Sequence, residues 1–176
     1  PLSSFCHKVL VALYENGTSF EPVIVDFSNA DSRAAFFEKS PMGKMPALHD
    51  MEASVTLPES SIIIEYIHAH YQGRAELPPQ GAKEQLEVRL WDRFFDLYVH
   101  QAMQRIVAER LRPEDAPDPH GLSEAHATIE KAYGVLEQHL AGREWVAGRE
   151  FSIADCSAVP ALFYGSIVHP FNGDLK

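Results

Sequence analysis

Apolar residues recur at intervals of three and four near the start of the chain. The positions in this first stripe are Cys6, Val9, Leu10 and Leu13. Ser3 and Ser4 stand before it, where helix N-caps prefer a hydroxyl, and Asn16 and Gly17 follow it as a stop signal. The pattern predicts a first helix over residues 5–14, with Cys6 on its buried face.

The next segments are shorter and alternate in type. β-Branched residues predict a strand over 20–25, which Pro22 restricts to a sheet edge, and two further strands over 46–49 and 54–57. A short polar helix over 31–39 and a loop over 40–46 separate the first strand from the second. A helix then opens at Glu59, with an apolar stripe of Ile62, Ile63, Tyr66 and Ile67.

In the second half of the chain, apolar residues recur at the spacing of helices. Turn-forming residues over 73–82 predict a linker between a domain over 1–72 and a domain over 83–176. The first stripe beyond the linker consists of Leu86, Leu90, Phe94 and Leu97. A later stripe consists of Leu122, Ala125, Ile129, Ala132, Leu136 and Leu140. Ser152 and Asp155 have the spacing of a capping box, which predicts the start of a last helix.

The composition narrows the class of protein. Of 176 residues, 45% are apolar, which is ample for a folded core and excludes disorder as the main state. The formal charge is −10, from 25 acidic residues against 15 Lys and Arg, so we expect neither nucleic acid nor a membrane surface as a partner. No apolar run approaches the roughly 20 residues that span a bilayer, and no secretory signal pattern is present.

The cysteines and the chain ends add two expectations. Cys6 and Cys156 form neither a CxxC pair nor a metal-binding spacing, so we expect no disulfide scaffold, no metal site and a location in the reducing cytoplasm. The chain begins at Pro1 without a Met and stops at Lys176 in a polar segment. We therefore expect both ends to be truncated.

The segment from Gly43 onward has the chemistry of a peptide-binding site. A cis peptide before Pro46 would turn the backbone N–H and C=O of Met45 outward, where they can pair with an extended peptide. The helix that opens at Glu59 and Ser60 offers free N–H groups and a hydroxyl to a carboxylate, while the Glu59 side chain suits an ammonium. An α-amino acid carries both groups. Taken singly, Pro46 is also compatible with an ordinary turn and Ser60 with an ordinary N-cap.

Four motifs, in this order, resemble those of the cytosolic glutathione S-transferases. They are the run over 3–9, the loop over 40–48, the pair Glu59 and Ser60, and the box over 152–155. Together they span nearly the whole chain. The resemblance implies an α/β thioredoxin-like N-terminal domain, whose first strand would lie before Pro1, and an all-α C-terminal helical domain. Within the family it points to a serine-type, theta-, zeta- or phi-like bacterial member.

The resemblance also implies a glutathione site, with glutathione as co-substrate. Glu59 and Ser60 would hold the γ-glutamyl end of the tripeptide. Met45, next to a cis Pro46, would pair with the cysteinyl backbone. Lys44 would lie near the glycine carboxylate or the adjacent backbone.

Ser3 matches the position of the catalytic hydroxyl in serine-type members, and Ser4 and Cys6 are the next candidates. A thiol with a pKa near 8.5 is only a few per cent thiolate at neutral pH. A hydroxyl donor at a helix N-terminus would lower that pKa by about 1 to 2, and the sulfur would then attack an electrophile as a thiolate. Two alternatives stay open: simple helix capping by Ser3, and a catalytic tyrosine in a strand before Pro1.

The helical domain would receive the second substrate, a small hydrophobic electrophile. By resemblance, Tyr98, His100 and Arg105 are candidates for its pocket, and the family's usual two-fold homodimer is expected. Glutathione-dependent isomerisation, dehalogenation and thiol-disulfide reduction are alternative activities of the same fold. A binding or regulatory protein without turnover is a further alternative.

Overall fold

The computed structural model describes residues 3–75, 77–171 and 173 of the chain. The chain divides into two compact units, Pro1–Pro78 and Pro79–Lys176. The division falls inside the segment 73–82, which was predicted as a linker.

Over its described residues, unit 1 consists of three helices and one hairpin. Its elements are α1 (Ser4–Asn16), α2 (Ala30–Lys39), β1 (Ala47–Asp50), β2 (Val55–Pro58) and α3 (Ser60–His70). The strands β1 and β2 are antiparallel, with Ala47 opposite Pro58 and Asp50 opposite Val55. The core of the unit forms where α1 packs on α3. The buried apolar residues of those two helices are Val9, Ala12, Leu13, Ile63, Ile64 and Ile67.

The ends of α1 follow the predicted signals. Ser3 is its N-cap, and Gly17 ends it in the left-handed conformation with φ of 74°. A side chain there would be strained, so glycine is favoured at this helix end.

Two expectations, one for a strand and one for α3, are wrong. Residues 20–25 form no strand, because within the described residues the sheet consists of β1 and β2 alone and offers this segment no pairing partner. Val23 and Ile24 are accordingly 81% and 72% exposed. The stripe of α3 is also rotated: Ile64 is buried, whereas Ile62 is 48% exposed.

Unit 2 is all helical within the described residues. Its helices are α4 (Ala82–Phe94), α5 (Gln101–Arg110), α6 (Pro119–Leu140) and α7 (Ile153–Val168), and a π-helical segment, Phe95–His100, joins α4 to α5. The mostly buried helix α7 packs against α4, the π-helical segment and α5. The predicted capping box at its start is confirmed.

The predicted buried face of α4 is wrong. Leu86 and Leu90 are 70% and 63% exposed, and the helix buries Val88 and Asp92 instead. Asp92 is stable inside because its carboxylate accepts a hydrogen bond of 2.6 Å from the Ser157 hydroxyl of α7. A search for apolar stripes passes over such a polar position.

Candidate functional site

The site begins at the N-terminus of α1. The Ser3 Oγ accepts a hydrogen bond of 3.3 Å from the Cys6 backbone N–H. This bond occupies an oxygen lone pair and leaves the hydroxyl proton for a second partner. Ser4 is buried. Cys6 is partly exposed, so its expected place on the buried stripe is wrong.

A tightly folded loop leads from α2 into β1. The Ser40 hydroxyl donates to the Lys44 carbonyl at 2.8 Å, and the Gly43 N–H donates to the Ser40 carbonyl at 2.8 Å. Gly43 has φ of 64°, and a Cβ there would lie 2.8 Å from the Phe37 ring, so the loop requires glycine at this position. Lys44 is exposed on this loop.

The peptide bond between Met45 and Pro46 is cis, which confirms the expectation for this bond. Met45 lies just before β1 and is 36% exposed. Its backbone therefore stands outside the β1–β2 ladder, which begins at Ala47.

Helix α3 begins directly after β2. Because Ala47 pairs with Pro58, the next residues outward, Pro46 and Glu59, adjoin at the open end of the hairpin. Glu59 has φ of 71°, is exposed, and makes no side-chain hydrogen bond that caps α3. A non-glycine residue in this conformation is strained by about 1 to 3 kcal/mol, which is a feature of functional sites. Ser60, the first residue of α3, is buried.

Helices α1 and α3 run in the same direction. Near their beginnings, the Lys8 ammonium donates a hydrogen bond of 2.8 Å to the Ser61 hydroxyl. Near their ends, the Asn16 side-chain amide donates to the Tyr71 carbonyl at 2.9 Å. Both N-termini therefore lie at the same end of unit 1, and Ser3, five residues before Lys8, extends about 7 Å further along the axis.

This arrangement makes one end of unit 1 electropositive. Two helix N-termini, each with the positive end of its dipole, lie beside the exposed loop that contains Met45. The fully buried Lys8 ammonium adds a positive charge between the two helices. The exposed carboxylate of Glu59 is the acidic side chain at the start of α3. Such a surface suits a ligand that carries a carboxylate and an ammonium on adjacent atoms.

The other end of the hairpin is held by Asp50. Its Oδ2 accepts hydrogen bonds from the hydroxyls of Tyr66 at 2.8 Å and Tyr71 at 2.5 Å. Its Oδ1 accepts from the backbone N–H groups of Glu52 and Ala53. The Ala53 N–H and then the Tyr71 and Tyr66 hydroxyls lower the pKa of Asp50 to about 2. The hydrogen bond to Asp50 in turn raises the pKa of Tyr71 to about 12.

Comparison with known proteins identifies the family. Residues 1–75 match "Glutathione S-transferase, N-terminal domain" and residues 101–170 match "Glutathione S-transferase, C-terminal domain". Glutathione S-transferase 3 of Zea mays is 35% identical over 171 residues, which cover 92% of this chain and 75% of the maize protein. A glutathione S-transferase-like protein of a Fusarium species is 32% identical over 159 residues, covering 89% of this chain and 71% of that protein. The chain belongs to the glutathione S-transferase family.

Solved structures agree with this assignment. A glutathione S-transferase from Methylobacillus flagellatus, crystallised with glutathione bound, superposes with a TM-score of 0.85 at 27% identity, covering 94% of this chain and 80% of that one. Poplar glutathione transferase F1 superposes with a TM-score of 0.78 at 26% identity, covering 93% and 77%. The predicted fold, a thioredoxin-like N-terminal domain followed by an all-helical domain, is confirmed, and the protein is an enzyme of the transferase class.

The three candidate pocket residues of this transferase occupy different environments in unit 2. Tyr98 is 49% exposed in the π-helical segment. His100 is fully buried beside Asp96, with its Nδ1 3.4 Å from the Asp96 carboxylate. This burial speaks against direct contact between His100 and a substrate. Arg105 is exposed and lines a shallow pocket along α5 with Gln101, Gln104 and Ala108.

Lys8 is a residue of this site that the apolar pattern of the sequence did not indicate. A signal was present, since Lys8 lies four residues before Ala12 and therefore shares a helix face with a residue of the core. A lysine at such a position is normally assigned to solvent, because burying its ammonium is costly without hydrogen-bond partners. The Ser61 hydroxyl supplies one such partner.

The described part of the chain offers neither a cluster of three or more metal-binding side chains nor a membrane-spanning helix. Over residues 3–75, 77–171 and 173, no group of three or more His, Cys, Asp and Glu side chains is arranged to hold a metal ion. Within the same residues, no helix is both long enough and apolar enough to cross a bilayer.

Proposed function

We propose that this enzyme binds glutathione at the electropositive end of unit 1 and activates its thiol as a thiolate for attack on a hydrophobic electrophile. One observation carries the proposal: the N-termini of α1 and α3 and the Met45 loop lie at the same end of the unit. Similarity to a transferase that was crystallised with glutathione supports the choice of ligand.

The γ-glutamyl end of glutathione carries both a carboxylate and an ammonium. We assign the carboxylate to the first N–H groups of α3 and the Ser60 hydroxyl, because the side chain of Glu59 leaves these groups uncapped. The ammonium falls to the exposed Glu59 carboxylate. The Met45 backbone, outside the sheet ladder, pairs with the cysteinyl residue, and the exposed Lys44 serves the glycine carboxylate.

Ser3 activates the thiol in this proposal. Its Oγ already accepts from the Cys6 N–H, so the hydroxyl proton can donate to the sulfur. A charge-assisted hydrogen bond and the dipole of α1 favour the thiolate, and a pKa lowered by about 1 to 2 corresponds to about 1.5 to 3 kcal/mol. Ser4 is a weaker candidate because it is buried.

The remaining parts of the proposal concern the second substrate and the assembly. We assign Tyr98 and Arg105, both exposed on unit 2, to the recognition of a small hydrophobic electrophile. We expect the enzyme to act in the cytoplasm as a homodimer. The exposed Leu86 and Leu90 of α4 offer apolar surface for the dimer contact. Gel filtration with light scattering measures the oligomeric state directly.

Ser3→Ala tests the proposal. We expect the variant to bind glutathione with nearly unchanged affinity, while the pKa of the bound thiol, followed by thiolate absorbance, rises towards 8.5. Conjugation of an aryl halide at pH 7 should fall by about 8- to 25-fold, in step with the thiolate fraction. Ser3→Gly separates catalysis from capping, because glycine restores most of the N-cap stability but supplies no hydroxyl.

Ser4→Ala and Cys6→Ser are the matched controls. Both should keep the pKa of the bound thiol and the conjugation rate of the wild type. If Ser3→Ala and Ser3→Gly conjugate normally, Ser3 does not activate the thiol. If Cys6→Ser alone abolishes turnover, the enzyme is a thiol-disulfide reductase instead.

A further inference from the structure

Two histidines meet in unit 2, far along the sequence from every residue of the proposed glutathione site. His126 lies on α6, and His169 follows the last residue of α7. Their Nδ1 atoms are 2.8 Å apart. The second ring nitrogen of His169, Nε2, lies 2.7 Å from the Glu130 carboxylate, and Glu130 is one helical turn beyond His126 on α6.

The Glu130 carboxylate determines the protonation of His169. A carboxylate only accepts hydrogen bonds, so Nε2 of His169 carries a proton and donates it to Glu130. In the neutral ring the lone pair then lies on Nδ1, which faces His126. A carboxylate that fixes a histidine in this way is the arrangement found around histidine ligands of metals.

We propose that His126 and His169 form a binding site for a divalent transition metal, with Cu²⁺ bound most tightly. Their Nδ1 atoms are 2.8 Å apart, within hydrogen-bond distance, and a metal bound to both nitrogens at about 2.0 Å replaces that hydrogen bond. Imidazole nitrogens suit Cu²⁺, Ni²⁺ and Zn²⁺, and among these divalent metals Cu²⁺ has the highest affinity for such ligands.

Water completes the coordination sphere. The described residues provide no third His, Cys, Asp or Glu ligand, since Glu130 is directed at the far nitrogen of His169. Tyr133 is close, but its hydroxyl donates to the His169 carbonyl at 3.3 Å.

The surrounding packing fixes the second histidine in place. A Cβ at Gly165 would lie 2.7 Å from the Tyr133 hydroxyl, so glycine leaves room on α7 for the Tyr133 side chain of α6. The Tyr133 and His169 rings are 5.9 Å apart. The site therefore needs little reorganisation of the backbone to bind a metal.

Metal binding leaves the proton count of the pair unchanged. Before binding, His126 donates its Nδ1 proton to the lone pair of His169. On binding, His126 changes tautomer: its proton moves through solvent to its own Nε2, and the freed Nδ1 lone pair forms a bond to the metal. His169 keeps its proton on Nε2, and no redox step is involved.

The test is titration of the tag-free, EDTA-treated 176-residue chain with CuCl₂, NiCl₂ and ZnCl₂, followed by calorimetry. We expect one Cu²⁺ per chain, bound more tightly than Ni²⁺ or Zn²⁺, and a Cu²⁺ EPR spectrum split by two nitrogens. Glu130→Gln should weaken Cu²⁺ binding by about 10- to 100-fold, because it removes the carboxylate that orients His169.

His126→Ala and His169→Ala should abolish this site, with circular dichroism as the check on folding. His120→Ala is the matched control: His120 is also on α6 beside a carboxylate, Glu124 at 3.7 Å, but its side chain is 86% exposed. Equal Cu²⁺ binding by the wild type and the two site variants, or an EPR spectrum with one nitrogen, would overturn the proposal. Zn²⁺ or Ni²⁺ bound more tightly than Cu²⁺ would overturn the choice of metal.

Discussion

Helices α3 and α7 each have a serine and an acidic residue at the N-terminus, but only in α7 do these side chains cap the helix. At α7 the Asp155 carboxylate accepts from the Ser152 N–H, the Ser152 hydroxyl and the Val146 N–H, at 2.9, 3.0 and 2.9 Å. At α3 the Glu59 carboxylate is exposed and caps nothing, while Ser60 is buried at the first helical position. The N-terminus of α7 is therefore closed, meaning that its own side chains cap it. The N-terminus of α3 is open, meaning that its own acidic residue does not cap it.

The order of the two residues explains the difference. In α7 the hydroxyl comes first and the acid three residues later, so the acid can reach back to the cap. In α3 the acid comes first, in a left-handed conformation, and its carboxylate extends into solvent. A helix N-terminus closed by its own side chains contributes stability, whereas an uncapped one retains donors that a ligand can use.

The largest effect that we expect is a loss of stability when the capped N-terminus of α7 is changed. Asp155→Ala leaves the Val146 and Ser152 N–H groups without their acceptor, in a region that is buried. We expect the free energy of unfolding of unit 2 to fall by about 3 kcal/mol. Both tryptophans, Trp91 and Trp145, belong to unit 2, so urea unfolding followed by tryptophan fluorescence reports this unit.

Glu150→Ala is the control for this variant, because Glu150 is exposed in the same loop. It should change the unfolding free energy by no more than about 0.5 kcal/mol. A fall of less than about 1 kcal/mol in the unfolding free energy of Asp155→Ala would contradict the conclusion that Asp155 stabilises the N-terminus of α7. Weaker glutathione binding by the folded variant would contradict it as well.

A change at the uncapped N-terminus of α3 should alter the affinity for glutathione and leave the stability almost unchanged. Glu59→Gln removes the charge assigned to the ammonium of glutathione, and we expect the Kd measured by calorimetry to rise about tenfold, or about 1.4 kcal/mol. The unfolding free energy should change little, because the Glu59 side chain is exposed and caps nothing. Glu52→Gln, an exposed acid in the turn at the opposite end of the hairpin, should bind glutathione like the wild type. If Glu59→Gln destabilises the protein without a change in Kd, Glu59 contributes to stability and not to glutathione binding, contrary to the comparison with α7.

Both N-termini could be located from sequence because their signals are local. The Ser152 and Asp155 spacing, the Ser3 cap and the Gly17 stop each depend on residues within a few positions of one another. What the sequence could not give is the direction in which α1 and α3 run. That depends on contacts between distant residues, such as Lys8 and Ser61.

The wrong expectations have the same origin. Residues 20–25 have strand-forming side chains, yet a strand exists only where a neighbour pairs with it. On α4 the apolar pattern pointed to Leu86 and Leu90, but Asp92 is inside, because the distant Ser157 satisfies its carboxylate. The change from α-helix to π-helix at Phe95 also shifts the helix faces, which a single period of 3.6 cannot follow.

The smallest effect belongs to the turn end of the hairpin, where the contributions of Asp50 and Tyr71 to stability change only at acid and alkaline pH. Folding lowers the pKa of Asp50 from its ordinary value of 3.8 to about 2. The stabilisation is therefore complete above about pH 4 and is lost as the pH falls towards 2. Tyr71 has the opposite sign: its pKa is raised from 10.0 to about 12, so its contribution is complete below pH 10 and is lost as the pH rises towards 12.

Unfolding in urea, followed by the methyl NMR signals of Ile63 and Ile64, measures unit 1 separately. Asp50→Asn should flatten the acid limb of the stability profile, because the titrating carboxyl is gone. Tyr71→Phe should reduce the alkaline limb to the part that Tyr66 contributes, because the hydrogen bond to Asp50 also raises the pKa of Tyr66. By taking one donor from Asp50, the same variant should move the acid limb to higher pH. Both limbs should be insensitive to Glu59→Gln, since Glu59 lies at the other end of the hairpin. Acid and alkaline limbs identical in all variants would show that Asp50 and Tyr71 do not hold this end of the unit.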